Sequence, residues 1–283
     1  MNTRGLTRWS KNILFITCLM ITMLLIACQP ARVSVSQPPA QSPAQPEATA
    51  LPELPPAVEP TTVAAQPTEQ AADDQLLDIS GLAKDQTFEV VAVVPPGGDG
   101  PWWGAAPEHR LITLYGYPVY NNPALPQIFI YPTADMADYE AIAQQAASLK
   151  ALLETRQPEE KLPFLPLTNG AQAMRVKVDY LEFKNGTGVR YLTQFNQGIS
   201  PINNAQMLYT FQGLTSDGQY YVAAVLPVTH AELPSDWLVQ SPQLSDYTAY
   251  MEKITAWLEE QPGDSLTPSL DALDAAIQSL EVK

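Results

Sequence analysis

The stretch MRVKVDYLEFKNGTGVRYLTQF, residues 174–195, carries the strongest indication of fold in this chain. Two runs rich in β-branched and aromatic residues flank Asn185-Gly186, a pair typical of a two-residue hairpin turn. A turn at this pair would place Tyr180 opposite Tyr191 and would bring apolar residues of both runs onto one face. The stretch therefore predicts a β-hairpin with one covered face and one outer face.

The outer face of this predicted hairpin is basic, although the chain as a whole is acidic. The predicted register brings together Arg175, Lys177, Arg190 and Gln194, with Asp179 as the one acid. Such a face can receive an anionic group or an acidic partner. It can equally be an exposed surface whose cations pair with neighbouring acids.

Further strands are predicted on both sides of the hairpin. A second hairpin is expected around Asp217-Gly218, and because both of its faces are largely apolar, we expect it at the centre of the sheet, covered on both sides. The predicted strands outside residues 174–195 are Phe88–Val94, Arg110–Tyr117, Gln127–Tyr131, Met207–Leu214 and Tyr220–Val228.

Three amphipathic helices are predicted from apolar residues that recur at spacings of three and four. Asp135, Ser245 and Thr267 are the expected N-caps, and Pro158 is expected to end the first helix. The apolar stripes run from Met136 to Leu153, from Tyr247 to Leu258 and from Leu270 to Leu280. The order of elements predicts an α+β fold, a mostly antiparallel sheet of about seven strands with three packed helices.

The first 27 residues have the three parts of an export signal. Arg4, Arg8 and Lys11 precede an apolar run that is too short to span a membrane. The run ends in Leu25-Ile26-Ala27-Cys28, which resembles the bacterial lipobox, and the resemblance implies cleavage before Cys28 and acylation of that residue. An uncleaved N-terminal anchor is the alternative. Both interpretations place the domain on the extracytoplasmic face of a cell membrane, or of an outer membrane where the cell has one.

Residues 28–75 are predicted to form a disordered linker, and residues 76–283 a globular domain. The linker is rich in Pro and Ala and has no aromatic residue, so it offers little apolar surface to bury. The net charge is −15, and loss of three cations with the export segment lowers it to −18. We therefore expect no binding to nucleic acid. Cys18 and Cys28 are the only cysteines, so the domain has neither a disulfide nor a thiolate nucleophile.

No catalytic, metal or cofactor signature is found in the domain. His109 and His230 are far apart in sequence, and no HExxH, Gly-x-Ser-x-Gly or GxGxxG pattern is present. Trp102-Trp103, in a glycine-rich loop, is a candidate contact for a sugar or a partner. The alternative is that one of the two indoles packs against the core and fixes the position of the loop.

The chain resembles two groups of known proteins. The element order over about residues 80–283 is similar to the Mog1/PsbP-like architecture, whose members are mostly binding or assembly factors. The runs Gly188–Thr193 and Tyr209–Thr215 resemble a family of uncharacterised bacterial lipoproteins. We therefore expect a non-catalytic module that binds a protein partner or an envelope component. The alternatives are a small-molecule-binding lipoprotein and a hydrolase with an acidic site.

Overall fold

The computed structural model describes residues 77–157, 160–236 and 244–283, with the backbone alone at positions 244 and 245. This part of the chain contains a sheet of seven strands: β1 (Asp85–Val91), β2 (His109–Tyr115), β3 (Gln127–Pro132), β4 (Val176–Phe183), β5 (Gly186–Thr193), β6 (Leu208–Thr215) and β7 (Tyr220–Pro227). Their order is β1-β2-β3-β7-β6-β5-β4, and all neighbours are antiparallel. The second hairpin, β6 and β7, is central, as its two apolar faces predict.

Helices cover both faces of the sheet. One face packs against α1 (Glu140–Thr155), with Ile142, Leu149 and Leu152 buried beside sheet residues such as Tyr191 and Tyr221. The other face packs against α2 (Leu244–Glu260) and α3 (Leu270–Ser279). The predicted α+β fold, with about seven strands and three helices, is confirmed.

The register predicted for the first hairpin is wrong. Tyr180 lies opposite Val189, so the two turn residues are Lys184 and Asn185, and Gly186 begins β5. A Cβ atom on Gly186 would collide with the Phe183 ring and with backbone. This glycine therefore permits close strand packing, and Asn185 holds the C-terminus through two hydrogen bonds with the backbone of Val282, at 2.5 Å and 3.0 Å.

Two predicted helix starts are also wrong. The Thr133 hydroxyl donates to backbone carbonyls of the β6–β7 turn. These bonds hold residues 133–136 in a separate 3-10 turn, so α1 begins only at Glu140. For α3 the cap is Ser269, whose hydroxyl accepts the backbone N–H of Ala272. Thr267 is extended instead, because it pairs with Thr229 in a short two-stranded ladder.

The described domain begins with a residue that belongs to its core. Leu77 is fully buried on the α2/α3 side, and the backbone N–H of Asp78 donates to the Ser279 hydroxyl at 2.8 Å. The predicted export segment, Cys28, the linker and Pro158 lie outside the described residues, as does the side chain of Ser245.

Candidate functional site

The loop that carries the tryptophan pair lies between β1 and β2. Val94 and Ala106 form a bridge that closes the loop at its base, and Trp102–Gly104 make one 3-10 turn. The side chain of Trp102 is 61% exposed, whereas Trp103 is half-buried and meets it edge to face, with ring centroids 5.9 Å apart. Trp102 therefore presents a large apolar ring to solvent, and Trp103 supports it.

Trp102 forms one wall of an open cavity of about 610 Å³, which we name the Trp102 cleft. The lining residues come from three parts of the chain and include no charged side chain. They are Trp102, Thr168, Asn169, Gly170, Ala171, Asn196 and Gln197. The cleft thus combines one exposed indole with amide and hydroxyl groups.

The loop at residues 162–167, which is buried from Leu162 to Leu165, positions the wall at residues 168–171. Gln212 lies beneath this loop and is fully buried. Its amide oxygen accepts from the Leu165 N–H at 2.9 Å and its amide nitrogen donates to the Leu165 carbonyl at 3.2 Å. The Tyr191 hydroxyl donates to the Pro163 carbonyl at 2.7 Å. Because these polar groups are shielded from water, the hydrogen bonds hold the loop firmly to the sheet.

The wall at Asn196 and Gln197 is held by a second set of buried amides. The Gln194 amide donates to the Asn196 side-chain oxygen at 2.8 Å and to the Pro201 carbonyl at 3.0 Å. Asn196 also pairs with Ala171 in a two-stranded ladder, which joins the two polar walls. The cleft is therefore preorganised on this side, as a binding site requires.

Of the basic residues predicted to form an outer face, Arg190 is not on the surface. It is 9% exposed and lies under α3, where its Nε is 3.2 Å and 3.3 Å from the two carboxylate oxygens of Asp274. The Arg190 guanidinium also contacts Asp179, at 3.6 Å, and donates to the Lys177 carbonyl. The prediction of an exposed basic face is wrong because that face of the hairpin is covered by α2 and α3.

The environment of Asp274 explains why this arginine is buried. Burial raises the pKa of the Asp274 carboxyl, against the opposing effects of the Arg190 cation and of the Tyr209 hydroxyl, which donates to it at 2.8 Å. Burial, together with the Asp274 charge, raises the pKa of Tyr209 well above its ordinary value. The group therefore acts as a structural tie between β5, β6 and α3.

Lys177, on the edge strand β4, and Arg175, directly before that strand, are half-buried. Lys177 has a positive φ of 57° and lies in an irregularity of the β4–β5 register between Val176 and Asp179. Its backbone N–H donates to the Glu259 carboxylate at 2.6 Å, and its ammonium donates to the Glu259 carbonyl at 2.5 Å. These two hydrogen bonds connect α2 to the edge of the sheet at Lys177.

The two histidines lie in different parts of the domain. His109 contacts the ring of Tyr131, with ring centroids 4.6 Å apart and the ring planes tilted by 34°, and burial lowers the pKa of its imidazole. His230 packs against Trp257 on the α2 side. Within the described ranges no group of three or more His, Cys, Asp or Glu residues is arranged to hold a metal ion.

Comparison with known proteins gave no match. The chain matches no family model, no curated protein and no solved structure. Among the described residues no helix has the length and apolar character needed to cross a membrane.

The sequence indicated Trp102 and Trp103 but not the polar walls of the cleft. Thr168-Asn169-Gly170 has the composition of a turn, which is a local signal. Its position beside Trp102 depends on the buried Gln212 bonds and on the pairing of Ala171 with Asn196. These contacts join residues that are distant in sequence, so only the folded chain brings the site together.

Proposed function

We propose that this protein is a membrane-anchored extracytoplasmic lipoprotein whose domain is a non-catalytic module that binds an uncharged sugar chain of the cell envelope. The observation that carries this proposal is the exposed Trp102 ring in a cleft lined by amides and a hydroxyl. The lipobox-like residues Leu25–Cys28 motivate the anchor, and the likeness in element order to Mog1/PsbP-like proteins agrees with a binding role.

The chemistry of the cleft suits a neutral sugar. An indole face packs against the C–H side of a pyranose ring, while side-chain amides both donate to and accept from hydroxyl groups. Asn169 and Gln197 provide such amides, and Thr168 adds a hydroxyl. Since no charged side chain lines the cleft and the net charge is −15, an anionic ligand is disfavoured.

The open form of the cleft favours a chain over a small metabolite. Its volume of about 610 Å³ lies in the range of ligand sites. Pockets for small molecules, however, bury most of the ligand surface, and this cleft is open to solvent. A polymer that crosses the cleft needs no enclosure, because successive sugar units add contacts.

The binding proposal is tested by titrating cellohexaose and chitohexaose into the full-length chain in detergent, with affinity measured by calorimetry. We expect binding that falls at least about tenfold in Trp102→Ala, a loss of about 1.4 kcal/mol or more. Asn169→Ala should weaken binding as well. The matched control is Tyr120→Ala, which removes an aromatic ring that is 82% exposed and lies outside the cleft.

Two outcomes would contradict the binding proposal. If neither oligosaccharide binds the wild-type chain, the sugar is not the ligand, and a photocrosslinker at position 102 would then search for a protein partner. If Tyr120→Ala weakens binding as much as Trp102→Ala, the cleft is not the site.

The anchor is tested separately by Cys28→Ser. We expect the wild-type chain to incorporate labelled palmitate and to sediment with membranes, and the variant to do neither. A variant that stays in the membrane fraction without label would instead support an uncleaved N-terminal anchor.

A further inference from the structure

The two edges of the sheet differ in how they are protected. At one edge β4 has a register irregularity at Lys177, and the N–H of that residue is occupied by Glu259 of α2. At the other edge β1 pairs without irregularity over seven residues, and among the described residues β2 is its only partner. Irregular strands and covering elements prevent edge-to-edge association, whereas a regular exposed edge invites it.

Strand β1 is exposed on both of its faces, and three of its seven residues are apolar. None of its seven residues is buried, and Phe88 and Val90 are 48% and 65% exposed. Val93 and Val94, directly after the strand, are 56% and 45% exposed. Apolar side chains collected at an open sheet edge indicate a surface that is covered by another chain.

We propose that the partner at β1 is a second copy of this chain, paired antiparallel through β1 of both copies about a two-fold axis at Phe88. All seven residues then pair. Glu89 faces Thr87 of the partner copy, Asp85 faces Val91, and the two Phe88 rings meet at the axis.

Charge selects this register over its neighbours. Moving the axis to Glu89 places the two Glu89 carboxylates opposite each other, and moving it to Thr87 places Glu89 opposite Asp85 of the partner copy. Like charges directly opposite one another destabilise a strand pair. The register centred on Phe88 is therefore the longest one, and both registers next to it are penalised.

The pairing also limits the assembly to two chains. Among the described residues each copy has one regular edge, because the other edge is interrupted at Lys177, where Glu259 occupies the backbone N–H. Two copies joined at β1 form one antiparallel sheet, and both of its outer edges carry this interruption. This distinguishes the proposal from open-ended aggregation, which needs two open edges per chain.

Sedimentation of the full-length chain in detergent tests the proposal, with Val90→Lys as the disruptive variant, since an edge lysine opposes pairing. We expect a wild-type dimer and a Val90→Lys monomer that stays folded, with the far-UV circular dichroism spectrum of the wild-type chain. The control Tyr120→Lys adds the same charge at a more exposed loop position and should remain dimeric. A wild-type monomer at every soluble concentration, or a dimer that persists in Val90→Lys, overturns the proposal.

A cysteine at the axis tests the register. Under mild oxidation Phe88→Cys should give a covalent dimer at several times the yield of Tyr120→Cys, because only the axis brings identical positions together. The wild-type chain measures any background from Cys18 and Cys28. Equal yields in the two variants would overturn pairing at Phe88, and species larger than a dimer would overturn the closed assembly.

Discussion

Arg190 holds together the charged and polar side chains at the place where β5 meets α3. Its removal leaves the Asp274 carboxylate, which is 17% exposed, without its cation. We expect Arg190→Ala to lower the free energy of unfolding by about 3–5 kcal/mol, as measured by chemical denaturation. The exposed pair Lys184–Glu281, with a separation of 3.6 Å, is the control, and Lys184→Ala should cost less than about 1 kcal/mol.

A double variant separates charge from packing at this group. Replacing the pair by Arg190→Met with Asp274→Leu removes both buried charges, so it should be more stable than Arg190→Ala alone. If the double variant is less stable than Arg190→Ala, the attraction within the ion pair itself stabilises the fold. The cost of leaving Asp274 without its cation would then not be the larger effect.

His109 makes stability depend on pH. Burial lowers the pKa of its imidazole below the ordinary 6.5, so between the two values the unfolded chain binds more protons than the folded chain. The contribution of His109 to the free energy of unfolding is therefore full above about pH 6.5. It is lost as the pH falls through the lowered pKa of the folded chain.

The variant His109→Phe should keep an aromatic ring in contact with Tyr131 and should remove the imidazole that titrates. We expect the melting temperature of the wild-type chain to fall, relative to that of the variant, as the medium is acidified from about pH 8 to about pH 5. A difference between the two proteins that is constant over this range would contradict the assignment.

The loop at residues 162–167 depends on one amide from the sheet. Gln212→Leu would leave the Leu165 N–H and carbonyl and the Tyr221 hydroxyl without partners. Each buried polar group left without a hydrogen-bond partner lowers the free energy of unfolding by about 1–3 kcal/mol. We expect lower stability and faster hydrogen exchange at residues 162–171, whereas Gln219→Leu, in an exposed turn, should change neither. Unchanged exchange in Gln212→Leu would show that another contact positions this wall of the cleft.

For the molecule as a whole, Leu77 is a fully buried core residue on the side of α3. Leu77→Ala should destabilise the domain by about 2–5 kcal/mol, because a fully buried side chain is truncated and a cavity is left. Leu125→Ala, at a position that is 60% exposed, should stay within about 0.5 kcal/mol of the wild type. Equal effects in urea denaturation would mean that Leu77 does not pack in the core.

The sequence by itself determined the elements of this protein and their class. Its β-branched runs, turn pairs and apolar stripes predict the strands and helices, because each depends on residues close together in the chain. The central place of the second hairpin also followed, since both of its faces are apolar. The register of the first hairpin could not be predicted from the sequence. It depends on the close contact of Gly186 with the Phe183 ring and with the backbone of a neighbouring strand.

Only the tertiary structure decided which charges are buried and where a ligand can bind. Arg190 is one more cation in the sequence, and its burial depends on Asp274, which lies 84 residues further along the chain. The Trp102 cleft likewise joins residues from three parts of the chain. Sequence pattern records local periodicity, whereas these sites depend on long-range contacts that exist only after the sheet has paired and the helices have covered it.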